Sequence, residues 1–465
     1  MTERPKCADY HGPMCSRRSV IRTLAHPVVC AGALLFATVA SGEAAIPVGA
    51  EPSVYSAAQA ERQPLLDTLQ TLVSIESGSK DFAGVSYIAQ VAADKLKALG
   101  GEVRIIRSTD PERLQDTPEQ PGPAVQAVFK GSGHSKIMLI AHMDTVYHQG
   151  DLAQQPFRID GERAYGLGIE DEKQGVALVL HSMALLQKIG YDQFGQITVL
   201  FNSDEEISSP GSRKLITALA RDQDAVFSFE SGGQDGTLHL ATSGIGALFL
   251  SVEGKASHAG ARPEYGVNAL YELSHQLLQM RNLSQPERGL KLNWTLSQAG
   301  SNRNVIPAHA EAQADARALR VQDFDALQSA VQERIRNKLF DGSRISARFE
   351  LRRPPMEASD AARKIAAQAQ QIYRKELDLP LRVNDVALGG GTDAAFAALS
   401  ARGGVVEGMG LGGFGAHSNH DEYIMLGSIV PRLYLVARLV MELSAPRGEA
   451  EHSDAHSATT GVQQK

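Results

Sequence analysis

Continuous apolar runs and helical spacings alternate along the first half of the chain. Three apolar runs predict buried strands: KIMLIAH (136–142), QITVLFN (196–202) and DAVFSFE (224–230). Helical patterns are found over 58–100, 173–190 and 212–221. Strands that alternate with helices are typical of α/β proteins, in which a mostly parallel sheet has helices on both faces. We therefore expect an α/β fold of this kind.

The hydrophobic pattern changes after Thr242 and changes back near residue 352. Between these points the sequence predicts strands at 245–254, 290–299, 305–318 and 345–351 and helices at 268–280 and 323–339. This order predicts an α+β domain, 243–351, inserted into a larger α/β domain made of 55–242 and 352–445. A chain of 465 residues is long enough to form two such cores.

Residues 1–45 are predicted to be an export signal that is removed. Three arginines precede an apolar stretch, Val28–Ala40, and small residues follow in TVASGEAA. This order is typical of a signal peptide, and the stretch is shorter than the ~20 residues of a transmembrane helix. Arg17 and Arg18 also resemble a twin-arginine signal. We expect a periplasmic or secreted bacterial protein; a membrane anchor, or a start at Met14, is the alternative.

Charge and cysteine content exclude several functions. The chain has 46 basic and 53 acidic residues and no long basic run, which argues against nucleic acid and, after signal removal, against a membrane as partners. Cys7, Cys15 and Cys30 are the three cysteines, and all lie in the predicted signal. A metal in the mature chain would therefore be held by His, Asp and Glu. The polar tail, 446–465, is predicted to be disordered.

Carboxylates and imidazoles cluster at the ends of the predicted strands. They are His142 and Asp144 after the first, Glu205 and Glu206 after the second, Glu230 after the third, and Asp171 and His417 in loops. Ligands of open α/β sheets gather at this edge, and oxygen and imidazole donors suit zinc, manganese or cobalt. Taken singly, His142 and Asp144 could form a structural hydrogen bond and 204–206 a solvated loop. The joint order favours a metal site.

Several motifs resemble those of the dinuclear zinc peptidases and amidohydrolases that include glutamate carboxypeptidase, aminoacylase and succinyl-diaminopimelate desuccinylase. The motifs are AHMDTV (141–146), YGLGIEDEKQG (165–175), FNSDEE (201–206), SFE (228–230), KASHAG (255–260), GGGTDAA (389–395) and GFGAHS (413–418). The resemblance runs from about residue 60 to 443 and is greatest to bacterial glutamate carboxypeptidases that cleave folates. It implies a catalytic zinc-exopeptidase domain, with the inserted segment as a lid and dimerisation domain.

The resemblance also implies two zinc ions per subunit, for which cobalt or manganese could substitute. The ligands would be Asp171 as the bridge, Glu206 and His417 at one site, and His142 and Glu230 at the other. Asp144 would orient His142, and Glu205 would be the general base. The family further implies a cis peptide bond after Asp171.

Substrate binding is implied for the inserted domain and for the GGGTDAA loop. The implied residues are His258, Asn304, Arg317, Gly391 and Thr392. The resemblance implies a homodimer in which His258 and Asn304 act at the partner's active site. The alternatives are that His258 caps its own turn and that Arg317 forms a salt bridge on its strand.

The implied function is a two-zinc metallo-carboxypeptidase that releases a C-terminal amino acid, with glutamate as a candidate, from a small peptide or an N-acyl amino acid. Thr237 and His239 stand where the folate-cleaving relatives have Lys and Ser, which argues against a fixed cation for a glutamate side chain. An aminoacylase or dipeptidase of the same family is the alternative. A non-catalytic metal- or peptide-binding protein is disfavoured by Glu205, and a calcium-stabilised protein by the histidines.

Overall fold

The structure, a computed structural model, describes residues 46–418 and 420–445, and these contain nine α-helices and eighteen β-strands. The helices are α1 (Pro52–Val73), α2 (Phe82–Ala98), α3 (Gln174–Lys188), α4 (Arg213–Ala220), α5 (Ala269–Met280), α6 (Val321–Arg334), α7 (Asp360–Glu376), α8 (Ala394–Ala398) and α9 (Ile429–Ser444). The strands are β1 (Glu102–Ile106), β2 (Ala124–Lys130), β3 (Lys136–His142), β4 (Arg158–Asp160), β5 (Arg163–Tyr165), β6 (Gln196–Asn202), β7 (Ala225–Ser228), β8 (Leu238–His239), β9 (Gly244–Glu253), β10 (Ser257–His258), β11 (Lys291–Ala299), β12 (Val305–Ile306), β13 (His309–Ala318), β14 (Arg344–Arg353), β15 (Val383–Asn384), β16 (Gly404–Val406), β17 (Gly413–Phe414) and β18 (Tyr423–Met425).

The central sheet has six strands in the order β1-β2-β6-β3-β7-β16. The last four of these run parallel to one another, whereas β2 is antiparallel to both β6 and β1. Ile137 and Leu139 of β3 pack in a core with α1, α3, α7 and α9, and the alternate residues Met138 and Ile140 pack with α4 and α8. These contacts confirm the predicted α/β fold, a mostly parallel sheet with helices on both faces.

A second sheet, in the order β11-β13-β9-β14, is antiparallel throughout. Leu248 and Leu250 of β9 lie in a separate core with α5 and α6. The intervening residues Ala247 and Phe249 line a cavity that residues of the first sheet's edge also line. This sheet lies where the sequence predicts an inserted domain, and the predicted bounds of the domains stay a prediction.

The second sheet with α5 and α6 is called the second layer below. Two predicted elements of this layer differ from the structure. The strand predicted at 305–318 is divided into β12 and β13 around Pro307, which has no N–H to donate to a ladder. The helix predicted at 323–339 ends at Arg334. The chain beyond it leaves the helix, and the buried carboxylate of Glu272 accepts hydrogen bonds from the N–H groups of Leu339 and Phe340.

A third sheet, in the order β17-β18-β5-β4, is built of short strands and joins two loops, 166–173 and 415–422. The predicted export signal at 1–45 and the predicted disordered tail at 446–465 lie outside the described residues. Within the described part of the chain, none of the helices combines the length and apolar content needed to cross a bilayer.

Candidate metal centre and active site

The carboxyl ends of parallel strands bring several of the predicted residues to one edge of the central sheet. His142 ends β3, Glu205 and Glu206 lie in a 3-10 turn shortly after β6, and Glu230 follows β7 by two residues. The parallel register of β6, β3 and β7 places these ends side by side. Two loops supply the other members of the cluster.

Asp171 lies between two histidines. Its Oδ1 is 3.1 Å from His142 Nε2, and its Oδ2 is 3.2 Å from His417 Nε2. The two carboxylate oxygens therefore face different histidines. The peptide bond between Asp171 and Glu172 is cis, as the resemblance implied.

One set of potential ligand atoms comprises His142, Glu172 and Glu230. His142 Nε2 lies 3.5 Å from Glu172 Oε2 and 3.6 Å from Glu230 Oε1. Glu172 was not predicted, although it directly follows Asp171 in the YGLGIEDEKQG motif. The sequence shows a run of acidic residues there but does not show which of them point inward.

A second set comprises Asp171, Glu206 and His417. His417 Nε2 lies 3.3 Å from Glu206 Oε2. The φ angle of His417 is +64°, in the left-handed region that few residues with a Cβ adopt, so the loop is shaped to present this imidazole.

Burial and crowding raise the pKa values of the carboxyl groups in this cluster. Burial raises the pKa of Glu206 to about 7, with Asp171 contributing, and that of Glu230 to about 8, although His142 counteracts it. Burial alone would lower the pKa of His142, but Glu230 and hydrogen bonds to Asp144 and Asp171 hold it well above its usual value. The cluster therefore lacks positive charge for full ionisation of its carboxylates.

The donor atoms fit divalent cations. Within each set they lie no more than 4.8 Å apart, and all are imidazole nitrogens or carboxylate oxygens. Glu172 Oε1 and Glu206 Oε1 are buried without a hydrogen-bond partner, which is unusual for a carboxylate. A cation beside each would satisfy these oxygens and supply the missing positive charge.

Asp144 supports the turn that carries Glu205 and Glu206. It accepts their N–H groups at 3.1 Å each and the hydroxyl of Ser79 at 2.7 Å. Its Oδ1 is 3.4 Å from His142 Nδ1, whereas its main-chain oxygen is 3.0 Å from the same nitrogen. That the Asp144 carboxylate orients His142 stays a prediction. Its hydrogen bonds to the N–H groups of Glu205 and Glu206 give it a second role, which was not predicted.

Glu205 is held by an arginine that was absent from the predicted site. Arg353, at the end of β14, lies 2.8 Å from Glu205 Oε1, donates to the main-chain oxygen of Glu205, and lies 3.1 Å from Asp393 Oδ1. Glu205 Oε2 is 4.0 Å from His142 Nε2. The Arg353 side chain is buried, so this contact joins the second sheet to the candidate general base.

Three of the predicted substrate-binding residues line a cavity of about 550 Å³ beside the cluster of candidate metal ligands. They are Arg317, Gly391 and Thr392. The Arg317 guanidinium makes a bidentate salt bridge with Asp315 and donates to the main-chain oxygen of Gly389. The Thr392 hydroxyl donates to Glu407, a buried residue directly after β16 that was not predicted.

His258 and Asn304 lie elsewhere on the second layer. Both are exposed, and neither lines this cavity in the described residues of the chain. His258 Nδ1 accepts hydrogen bonds from the N–H groups of Gly260 and Ala261, so this imidazole caps its own turn. Their predicted action at a partner's active site stays a prediction.

Comparison with known proteins assigns the chain to a family. A family model described as peptidase family M20/M25/M40 matches residues 138–442. Carboxypeptidase G2 of Pseudomonas sp. (strain RS-16) is 41% identical over 393 residues, which cover 84% of this chain and 92% of that protein.

Two solved structures are similar in fold. A tripeptidase from Staphylococcus aureus subsp. aureus mu50 has a TM-score of 0.67 and 20% identity and covers 82% of this chain and 98% of its own. An M20 family metallo-carboxypeptidase from Sulfolobus solfataricus has a TM-score of 0.65 and 15% identity, and the match covers 82% of this chain and 99% of that one. At these identities the structures bear on the fold alone. The family model and the 41% identical relative extend over most of the chain, so this protein belongs to peptidase family M20/M25/M40.

Proposed function

We propose that the protein is an exported, homodimeric metallo-carboxypeptidase that uses two zinc ions to release a C-terminal residue, glutamate included, from a small peptide or an N-acyl amino acid. The observation that carries this proposal is Asp171, whose two oxygens face the histidines of two donor sets. Family membership and the 41% identity to a carboxypeptidase support the reaction class. The test is release of free amino acid from N-acyl amino acids by the zinc-loaded protein, with a chelator-treated control; no release would overturn it.

One donor set, Asp171, Glu206 and His417, would hold one ion. At the other site His142 and Glu230 would be joined by Asp171 in place of Glu172, because Asp171 Oδ1 lies 3.1 Å from His142 Nε2. Two such ions, when bound, lower the pKa of water and polarise an amide carbonyl. Imidazole with carboxylate and without thiolate is a ligand set that catalytic zinc uses.

Glu205 would move the proton. Arg353 holds its Oε1, and Oε2 is left on the side of His142. Oε2 would take a proton from the attacking water and transfer it to the leaving nitrogen, which is general base and then general acid catalysis. Arg353 would bind the carboxylate without removing its second oxygen from the reaction.

The Arg317 guanidinium would bind the free α-carboxylate of the substrate, with N–H groups of the Gly391–Thr392 loop beside it. Arg317 suits a carboxylate because its donors form a planar fork. In this structure that fork is shared with Asp315, so the substrate would compete with Asp315 for the guanidinium.

A recess of about 220 Å³ beside Asp171 and Glu230 would receive the side chain of the released residue. His239, Glu407 and Leu388 also line it, and none of its lining residues in the described chain is Lys or Arg. Burial, with Arg432 contributing, lowers the pKa of His239. At neutral pH the recess therefore offers an uncharged imidazole beside several carboxyl groups.

We expect only a weak preference for C-terminal glutamate over glutamine at pH 7.5. Below the ordinary histidine pKa of about 6.5, protonation of His239 should raise the ratio of the two kcat/KM values, because the imidazolium attracts the glutamate carboxylate. His239→Lys should raise this ratio by about 10-fold at pH 7.5, and His239→Gln should remove the part of its pH dependence that is due to the imidazole. Steady-state kinetics with matched N-acyl-Glu and N-acyl-Gln substrates measures it. A strong Glu preference that persists in His239→Gln would place recognition elsewhere.

The proposed dimer would use the exposed side of the second layer. Leu270, Tyr271 and Leu278 of α5 are exposed apolar residues there, and large exposed apolar groups favour association. The positions of His258 and Asn304, away from the cavity of their own chain, support a role in the partner.

A mixing experiment tests whether His258 acts in trans. The Glu205→Gln and His258→Ala homodimers should each be nearly inactive, because every site lacks one group. After random reassortment about half of the dimers are mixed, and each has one complete site, so about a quarter of wild-type activity should return. If subunit exchange is verified and no activity returns, His258 acts within its own chain, whereas an active His258→Ala homodimer would show that His258 has no catalytic role.

A further inference from the structure

The carboxylate of Glu422 is fully buried and accepts four hydrogen bonds. Its Oε1 accepts the N–H groups of Glu170 and Asp171 at 2.8 and 3.1 Å. Its Oε2 accepts the N–H of Gly168 at 2.8 Å and the hydroxyl of Tyr147 at 2.6 Å. All four acceptor positions of the carboxylate are therefore used, and three of the donors belong to the short segment that ends at Asp171.

Strand pairing explains why this carboxylate reaches that segment. Glu422 directly precedes β18, which pairs antiparallel to β5 with Tyr423 opposite Tyr165. The chain after β5 therefore passes Glu422, whose main-chain oxygen accepts the N–H of Gly166. Gly168 has a φ of +68°, which turns the backbone so that successive N–H groups converge on the carboxylate.

Tyr147 connects this cluster to two further segments. It follows His142 by five residues, and its hydroxyl lies 3.0 Å from the main-chain oxygen of Ser418 as well as 2.6 Å from Glu422. Ser418 is the neighbour of His417 in the chain. Glu422 and Tyr147 therefore join the segments that carry His142, Asp171 and His417.

We propose that Glu422 is a positioning residue of the metal centre, which fixes the backbone of the Asp171 segment relative to both histidine-bearing segments. The inference rests on the proposed function, because it assumes that these three residues are ligands. Glu422 lies outside both donor sets and does not line the cavity above them, so it acts through other residues. Outer contacts of this kind commonly set the orientation of metal ligands.

A carboxylate is required at this position by the number of donors. The isosteric substitution Glu422→Gln replaces one acceptor oxygen with an NH₂ group, which would face N–H donors of the backbone. At least one or two of the four hydrogen bonds would be lost, and the segment would have to move to relieve the donor–donor contact.

Glu272 provides a matched control. It is also fully buried, and its carboxylate accepts the N–H groups of Leu339 and Phe340, the hydroxyl of Ser343 and the amide of Gln276. It lies on α5 in the second layer and takes no part in the proposed site. Glu272→Gln should therefore lower stability without changing metal binding.

The experiment compares wild type, Glu422→Gln and Glu272→Gln. Zinc affinity is measured by competition with a chelator, and the visible spectrum of the cobalt-loaded protein reports ligand geometry. For Glu422→Gln we expect zinc affinity to fall about 10- to 100-fold, the cobalt spectrum to change, and kcat at saturating metal to fall more than KM changes. Unchanged affinity and spectrum, or equal losses in Glu272→Gln, would overturn the proposal.

Two further measurements keep the test decisive. If Glu422→Gln does not fold, Tyr147→Phe, which removes one hydroxyl, should still alter the cobalt spectrum and weaken zinc binding by about tenfold; an unchanged spectrum would overturn the proposal. Hydrogen exchange at Gly168, Glu170 and Asp171 in chelator-treated protein should be about tenfold faster in Glu422→Gln than in wild type. If wild type itself binds no metal, the proposed function fails, whereas unchanged exchange rates overturn the role of Glu422.

Discussion

Replacing Glu205 by glutamine should lower kcat by about 10²- to 10⁴-fold while two metal ions stay bound per chain. Glutamine keeps the size of the side chain and an acceptor oxygen for Arg353, but it cannot take a proton from water. Glu205 belongs to neither donor set, so its charge is not needed to hold a cation. Metal analysis beside single-turnover kinetics measures both parts of this expectation.

A matched control for this substitution is Glu61→Gln. Glu61 is also a largely buried carboxylate, and it contacts His181 between α1 and α3, away from the candidate metal ligands. Its variant should keep normal turnover even if its stability falls. Normal hydrolysis by Glu205→Gln would remove the base assignment, and loss of one metal ion would make Glu205 a ligand instead.

Asp171→Ala should lose both ions and, with them, all measurable activity. Each of its oxygens faces a different histidine, so removing the carboxylate takes a ligand from both proposed sites at once. His417→Ala, in contrast, should lose about one ion per chain, because His417 belongs to one donor set only. Metal content after dialysis, with circular dichroism to verify folding, distinguishes the two variants.

Glu172 is an alternative to Asp171 as the third ligand of the His142 site, and metal content can distinguish the two. Together with His142 and Glu230 it could hold a cation without Asp171. Retention of about one ion in Asp171→Ala, with loss of that ion in Glu172→Gln, would show that Glu172 completes the first site and that Asp171 does not bridge. Loss of both ions in Asp171→Ala and retention of both in Glu172→Gln would support the bridge.

Local patterns were sufficient to predict the elements that carry the candidate site. The apolar runs at 136–142 and 196–202 coincide with β3 and β6, because a strand covered on both faces must be apolar along its whole length. The acidic residues and histidine at such strand ends could be expected to converge, and the structure does bring them together. Their individual roles stay predictions.

Residues whose contacts depend on distant backbone could not be found in this way. Arg353 stands in an ordinary strand sequence, and its partner Glu205 is 148 residues earlier in the chain. Glu422 follows another acid in HDEY, where a solvated loop is the ordinary expectation. In both cases the decisive information is which main-chain groups the fold places nearby, and no local pattern contains it.

Arg353 lies close to the junction between the first and second sheets, where the second sheet would move least if it rotated relative to the first. Met356 pairs with Thr242, so both crossings of the chain between the layers lie within a few residues of this guanidinium. The far end of β14, at Arg344, is about 30 Å away at ~3.3 Å per residue. A rotation of the second sheet about this junction would move residues near Arg344 most and the guanidinium least, so Glu205 would remain held.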